Sequence, residues 1–433
     1  MNELINKKRA VLLICDDDSN LLGSFVCEVA LPWPQETSDV LAAARAAGLE
    51  LAVLRLVEQH TDESTGMLAC TYLALLLQQP AAATVLALKA VPEAFLADEQ
   101  WRQEHPLRQR YARPSGLVSD LAWADAQLEG LGRRRVGPAQ QQRTWNLSCV
   151  FRLQLDDGSE AWLKSVPPFF AHEGSVIECV QALDRASSAQ QSAGVDASAQ
   201  RLRLPELLAS DGAPGRLLMA HCEGPLMWGT SPARWQPIIA AHVDRQLRLQ
   251  PHVQRLLNLG LPDWRADALL WSLRTLCARP AVQGVLPAAV RAGLATLIAA
   301  LPERLKALQA CGLPDTLVHG DLHQGNVIAS SAGPVLLDWG DAGVGMPLLD
   351  LPALCHGFAP AEQSQVRAMV ADAWRQACPN AQIDSAIALI APVLELRQAL
   401  VYQHFLDNIE PAEQHYHQAD VPARLAAAVA VSD

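Results

Sequence analysis

At 433 residues the chain exceeds the usual length of one domain, and a composition half hydrophobic and 18% charged excludes a disordered or fibrous protein. The formal charge of −12, with no basic run longer than three residues such as Arg133-Arg134-Arg135, argues against nucleic acid as a partner. Ten cysteines without a C-x-x-C pair, and no uninterrupted apolar run of about 20 residues, predict a reduced cytoplasmic protein with no membrane partner.

Residues 1–135 read as a small α+β domain. RAVLLIC, GSFVCEVA, LELAVLRLV and GMLACTYLALLL have strand character, and an Ala-rich helix from Thr37 to Ala47 is closed by Gly48. Asp16-Asp17-Asp18 lacks the glycine and glutamate of a calcium loop and reads as a turn. The order of elements is weakly similar to the Nudix fold. DVLAAARAAGLE lacks the glutamates that would hold a metal there, so a structural or substrate-capping role is expected.

RRRVGPAQQQ, from Arg133 to Gln142, has the polar Gly-Pro composition of a linker, and a second unit is expected over 140–224. TWNLSCVFRLQL and SEAWLKSV form a hairpin about Asp156-Asp157-Gly158, which places Lys164 near the end of a strand. A helix follows from His172 to Leu183, and the Ser/Ala/Gln-rich stretch from Arg185 to Gln200 reads as frayed helix or loop. LRLPELLAS and GRLLMAHC are two more strands about an Asp-Gly-Ala-Pro-Gly turn. Residues 225–433 are helical by pattern, over Trp235 to Leu249, Ala288 to Leu308, Pro360 to Cys378 and Ile383 to Phe405. Two short apolar strands, TLVH and PVLLDW, interrupt them.

Between and beside those strands lie HGDLHQGN, from His319 to Asn326, and LLDWGDAG around Asp338. Protein kinases place a catalytic aspartate five residues before a metal-binding asparagine, with a second metal-binding aspartate about a dozen residues later. Asp321, Asn326 and Asp338 reproduce that order. A carboxylate at Asp321 aligns an acceptor hydroxyl and takes its proton, while Asn326 and Asp338 offer the hard oxygens that magnesium prefers. No A-P-E segment with a phosphosite follows Gly340, and that shortness suits a small acceptor.

HGDLHQGNVI with LLDWGDAG resembles the aminoglycoside phosphotransferase family, over about Arg143 to Phe405. The resemblance implies a bilobal, protein-kinase-like α+β fold, with a small β-rich lobe and a helical lobe, here preceded by the small α+β domain. It implies Asp321 as catalytic base, Asn326 and Asp338 as magnesium ligands, and His319 as the residue that shapes the loop. It also implies Lys164 on the α- and β-phosphates, with Glu173 or Glu178 as helix partner. Glu173 is favoured because a carboxylate in the first turn also meets the helix dipole. The adenine is expected against Met219 to Cys222. The first hairpin has no G-x-G-x-x-G, which leaves Asn146 and Ser148 as side-chain donors to phosphate or as parts of a tight turn without such a role.

The expected activity is transfer of the γ-phosphoryl of ATP, with GTP also compatible, in the presence of Mg2+, to a hydroxyl of a small polar molecule. An amino sugar, a sugar, an amino alcohol or an aminoglycoside fits equally. The alternative is a nucleotide-binding regulatory module that keeps the fold without turnover. Asp407, Glu410 and Glu413 are the carboxylates available to a polycationic acceptor, and His404, His415 and His417 complete a polar C-terminal cluster read mainly as surface.

Overall fold

A computed structural model describes residues 7–30, 33–61, 68–78, 88–97, 103–190 and 202–432. The remainder of the expected loop from Arg185 to Gln200, beyond residue 190, lies outside them. The chain divides into two compact units, one of residues 1–171, 207–221 and 408–416, the other of residues 172–206, 222–407 and 417–433.

In the first unit, β1 (Lys7–Cys15), β2 (Leu21–Ala30), β3 (Leu51–Thr61) and β4 (Leu68–Leu76) form a sheet of order β2-β1-β4-β3. β1 pairs antiparallel with β2 and parallel with β4. The run Val11 to Cys15 is apolar throughout because the sheet is covered on both faces. Leu12 and Ile14 face α1 (Ser38–Ala46), packing with Val40, Leu41 and Ala44. Leu13 and Cys15 point the other way, into a second core shared with α2 (Pro114–Gly130) and a second sheet.

That second sheet runs β5-β6-β7-β9-β8, built from β5 (Gln140–Trp145), β6 (Ser148–Gln154), β7 (Glu160–Ser165), β8 (Leu207–Asp211) and β9 (Arg216–Ala220). The expected hairpin is present, with Gly158 at φ +80° in its turn. Phe151, Leu153 and Leu163 of this sheet pack in one core with Leu13, Leu54 and Leu75 of the first. A polar stitch accompanies the apolar one. β3 bulges between Val53 and Arg55, and the Gln141 amide takes the place of a strand there, accepting from Val53 N–H and donating to Val53 C=O at 2.8 Å each.

A C-terminal strap, Pro411–Tyr416, returns to this unit. Its carboxylates are buried rather than presented to solvent. Glu410 takes a bidentate bond from Arg108 (2.9 and 3.1 Å), and Glu413 is 4% exposed. Burial, then the neighbouring Glu410, pushes the Glu413 carboxyl up to about 8. Asp407, in the second unit, is paired with Arg279 at 2.7 Å.

The second unit is mainly helical: α3 (Glu173–Gln190), α4 (Gln236–Leu249), α5 (Ala266–Cys277), α6 (Ala288–Ala310), α7 (Pro360–Ala377), α8 (Ile383–Asn408) and α9 (Asp420–Ala430). Its short strands are β10 (Asp263–Trp264), β11 (Thr316–Val318), β12 (Val327–Ile328), β13 (Val335–Leu336) and β14 (Gly343–Gly345). They form a β10-β14-β11 sheet and a β12-β13 hairpin. Among the described residues, α8 is the one helix long and apolar enough to cross a membrane. It carries a fully buried arginine, Arg397, stacked 3.9 Å over the Trp264 ring, as a core helix would. The α+β fold expected from the sequence is the fold observed, with a β-rich lobe, a helical lobe and an added N-terminal sheet.

Candidate active site

β11 ends at Val318 and delivers His319, Gly320 and Asp321 to one loop, and the β12-β13 hairpin brings Asp338 back beside it. Leu337 N–H donates to Asn326 C=O at 2.8 Å, which ties the residue before Asp338 to Asn326. Asp321, Asn326 and Asp338 thus share one corner of the second unit.

The loop has two backbone devices. Gly320 has φ +86°, and a Cβ there would sit 2.1 Å from the Asp341 carbonyl oxygen, so no side chain fits. Asp338 has φ +61°, the left-handed region that aspartate tolerates better than most residues.

The Asn326 amide donates to both the Asp321 carbonyl (2.8 Å) and Asp321 Oδ2 (2.9 Å). With its nitrogen committed, its Oδ1 is the atom left to a cation. The His323 Nδ1 accepts from Gly325 N–H at 2.9 Å, so its Nε2 carries the proton and lies 3.3 Å from the same Asp321 Oδ2. Both contacts fall on one carboxylate oxygen of a side chain that is 40% exposed, and among the described residues neither is made to Oδ1.

His319 is wholly buried. Its Nδ1 accepts from Asp321 N–H at 3.3 Å and its Nε2 donates to Leu337 C=O at 3.1 Å, which requires the neutral Nε2–H form. Burial holds its pKa down, at about 4. The ring packs edge-on against Trp339 with centroids 4.6 Å apart. His319 therefore joins the loop of Asp321 to the segment after β13 that carries Asp338.

Glu173 opens α3 and is 1% exposed, and its Oε1 accepts from Trp339 N–H at 3.2 Å. The neighbouring His172 Nε2 donates to Gly340 C=O at 2.8 Å. Glu178, five residues on, is exposed. In the first unit, Lys164 lies on the central strand β7, buried, opposite Val150 and Leu217. Met219 is on β9 beside Trp162, and Cys222 opens the next segment of the second unit. Asn146 and Ser148, at the β5-β6 turn, are buried. The Asn146 amide donates to Glu413 C=O at 3.3 Å, and Trp145 Nε1 donates to Ser148 Oγ at 3.3 Å.

Three residues of the site were not singled out from the sequence. Asp350 is buried, and its Oδ1 accepts from Gly320 N–H (2.7 Å) while Oδ2 accepts from His319 N–H, His242 Nε2 and Gln246 Nε2 (3.2, 2.8 and 3.1 Å). Burial alone would raise its pKa, but the His242 bond and the remaining donors hold it below the usual carboxylate range. Arg397 reaches toward Gly320 C=O at 3.5 Å. Burial lowers its pKa, and Asp341, Asp350 and Asp321 oppose that loss of charge. Trp228 is 49% exposed, with its ring 5.3 Å from that of His323 and 6.1 Å from that of the exposed His356. A Cβ at Gly325 or Gly357 would fall 2.5 or 2.9 Å from Trp228. The only sequence cue for Asp350 is PLLDLPAL shortly after Asp338, and the others had none.

The phosphotransferase enzyme family, APH, matches residues 150–382, more than half of the chain. No curated protein sequence matches it. Among solved structures it is similar to the macrolide 2'-phosphotransferase from Brachybacterium faecium, at 15% identity over 70% of this chain and 98% of that one, with a TM-score of 0.44. It is similar as well to a choline/ethanolamine kinase family protein from Mesorhizobium loti, at 17% identity over 71% of this chain and 98% of that one, with a TM-score of 0.42. With the Asp321, Asn326 and Asp338 loops lying inside the matched residues, the chain belongs to the phosphotransferase enzyme family.

Proposed function

We propose that the chain transfers the γ-phosphoryl of ATP to a hydroxyl of a small polar molecule, with Asp321 as the base. The observation that carries this reading is the Asp321 carboxylate itself, held through Oδ2 by Asn326 and His323 and solvent-accessible at a site fixed from below by Asp350. In the reaction Asp321 Oδ1 aligns the acceptor hydroxyl and takes its proton. The acceptor oxygen bonds to the γ-phosphorus as the bond to the β-bridging oxygen breaks, and ADP leaves with that electron pair. Positioning is the larger part of the effect.

Asn326 Oδ1 and the Asp338 carboxylate suit a magnesium ion, which is commonly held by one or two protein oxygens with phosphate and water completing the shell. When bound, it would neutralise charge on the phosphates. Lys164 is assigned to the α- and β-phosphates. Glu173 rather than Glu178 is assigned as the helix carboxylate, because it is buried and anchors the Trp339 backbone. With the Asn146 and Ser148 side chains engaged inside their own unit, the phosphate grip is assigned to Lys164, and the adenine to the segment from Met219 to Cys222. Trp228, rigidly backed by Gly325 and Gly357 and one ring away from His323, is assigned to the acceptor, which would present a ring face or CH-rich surface to it.

The test is Asp321→Ala and Asp321→Asn, followed by mass spectrometry of phosphate transfer from ATP to a library of sugars, amino sugars, amino alcohols and aminoglycosides. A loss of about 10²–10⁴ in kcat with ATP binding retained is expected. Undiminished transfer in Asp321→Ala would sink the assignment of the base. Binding of magnesium-ATP by the native chain without turnover of any acceptor would favour the regulatory-module reading.

A further inference from the structure

The first unit contains a cavity of about 280 Å³ lined by no residue assigned above to phosphoryl transfer. Arg108, Arg110 and Arg113 come to its wall from one six-residue stretch, facing Val166, Phe169 and Pro214, and among the described residues no carboxylate lines it. In a chain of net charge −12 this is an unusual concentration of one sign.

The acids that pair with these arginines stand outside the wall. Glu410 holds Arg108 through Nε and Nη2. The buried Asp120 holds Arg110, whose Nη2 also donates to Pro214 C=O at 3.0 Å. A guanidinium has five N–H donors, so such anchoring fixes each fork in place without exhausting it. Arg113 is the least satisfied. Its Nη2 donates to His105 C=O at 3.1 Å, but its buried Nε makes no hydrogen bond and only neighbours Glu104, a carboxylate 73% exposed, at 3.1 Å. An exposed partner of that kind is weakly held and readily displaced.

We propose that this cavity binds a small molecule that carries a carboxylate or phosphate monoester on an apolar body. The guanidinium forks match either oxyanion in planar, bidentate geometry, and the Val166, Phe169 and Pro214 wall accepts the apolar part. The proposal is independent of the reading given to Asp321.

Calorimetric titration of the full chain tests it, with the nucleotide site first saturated by a non-hydrolysable ATP analogue and magnesium. Phenyl phosphate, benzoate, inorganic phosphate and benzyl alcohol are the probes. Phenyl phosphate or benzoate is expected to bind with a Kd below about 1 mM, and benzyl alcohol not to bind. The preferred one of the two identifies the oxyanion. Arg113→Glu, at a partly exposed side chain, is expected to weaken binding at least about tenfold, and Phe169→Ser by about threefold to tenfold. The proposal is overturned if neither anion binds by about 10 mM, or if Arg113→Glu and Phe169→Ser, each folded by circular dichroism, bind as the native chain does. Inorganic phosphate matching phenyl phosphate would remove the apolar body from it.

Discussion

Asp350 carries four donors on one buried carboxylate, two of them the backbone N–H groups of His319 and Gly320. Removing it would leave those groups and the His242 ring without their acceptor in a dry site, so the cost is that of stranding several buried donors at once. Asp350→Ala is expected to lose about 3–5 kcal/mol in urea unfolding, and kcat is expected to fall even where the protein remains folded. A loss below about 1 kcal/mol would show that the clamp does not hold the loop. Trp228 makes the opposite kind of prediction, since half of its surface is exposed. Trp228→Ala is expected to raise the acceptor KM by about five- to tenfold, the worth of one aromatic contact, with kcat and the KM for ATP changed less than about twofold. An unchanged acceptor KM would remove Trp228 from the acceptor site. The contrast between these residues explains what was legible. Asp321 and Asn326 act within a few residues of each other, so their chemistry is written as a spacing. Asp350 bonds Gly320 across 30 positions and Arg397 reaches it across 77, and a separation of that kind leaves no local pattern.

At the scale of elements, strands and helices were legible wherever burial imposes a period. Leu12 and Ile14 alternate with Leu13 and Cys15 between two cores, and the hairpin about Gly158 has its turn residues in place. The strap Pro411–Tyr416 was not, because Glu410 and Glu413 read as surface until Arg108, 302 positions away, arrives to pair with Glu410. Glu413 gives the strap a pH signature. Its folded pKa, pushed up to about 8 by burial and by Glu410, lies well above the ordinary 4.5. The folded state therefore holds a proton that the unfolded state releases between these values. Its contribution is fully present below about pH 4.5 and is lost as pH rises toward 8, by about 1.4 kcal/mol per unit at most. Glu413→Gln resembles the protonated form and does not titrate. Its advantage over the native chain in denaturant unfolding is expected to grow from pH 5 to pH 8 and then level off, reaching on the order of 2–4 kcal/mol. An advantage that stays constant across that range would mean that Glu413 is not protonated in the fold.

At the scale of the whole molecule, the added N-terminal sheet is part of the packing of the lobe that carries Lys164. Leu13, Leu54 and Leu75 share a core with Phe151, Leu153 and Leu163, and the Gln141 amide completes the backbone pairing of Val53. A chain begun at residue 140 would expose one face of the five-stranded sheet, including Phe151, Leu153, Leu155, Leu163 and Leu218. Each large apolar side chain contributes about 1.5–3 kcal/mol when buried, so five of them approach or exceed the whole stability of a typical domain, about 5–15 kcal/mol. Arg108 and Tyr111 would go as well, taking with them the bidentate partner of Glu410 and the hydroxyl that donates to Trp145 C=O at 2.9 Å. The loss therefore reaches the β5-β6 turn and the strap, and the helical unit would be left joined to a lobe without a closed core. The truncated chain is expected to be insoluble or to bind a hydrophobic dye with no cooperative thermal transition, while the full chain melts cooperatively. A soluble truncated chain that melted cooperatively and still transferred phosphate would show that the N-terminal sheet is dispensable to the fold, and its purpose would then have to be sought in the cavity walled by Arg108, Arg110 and Arg113.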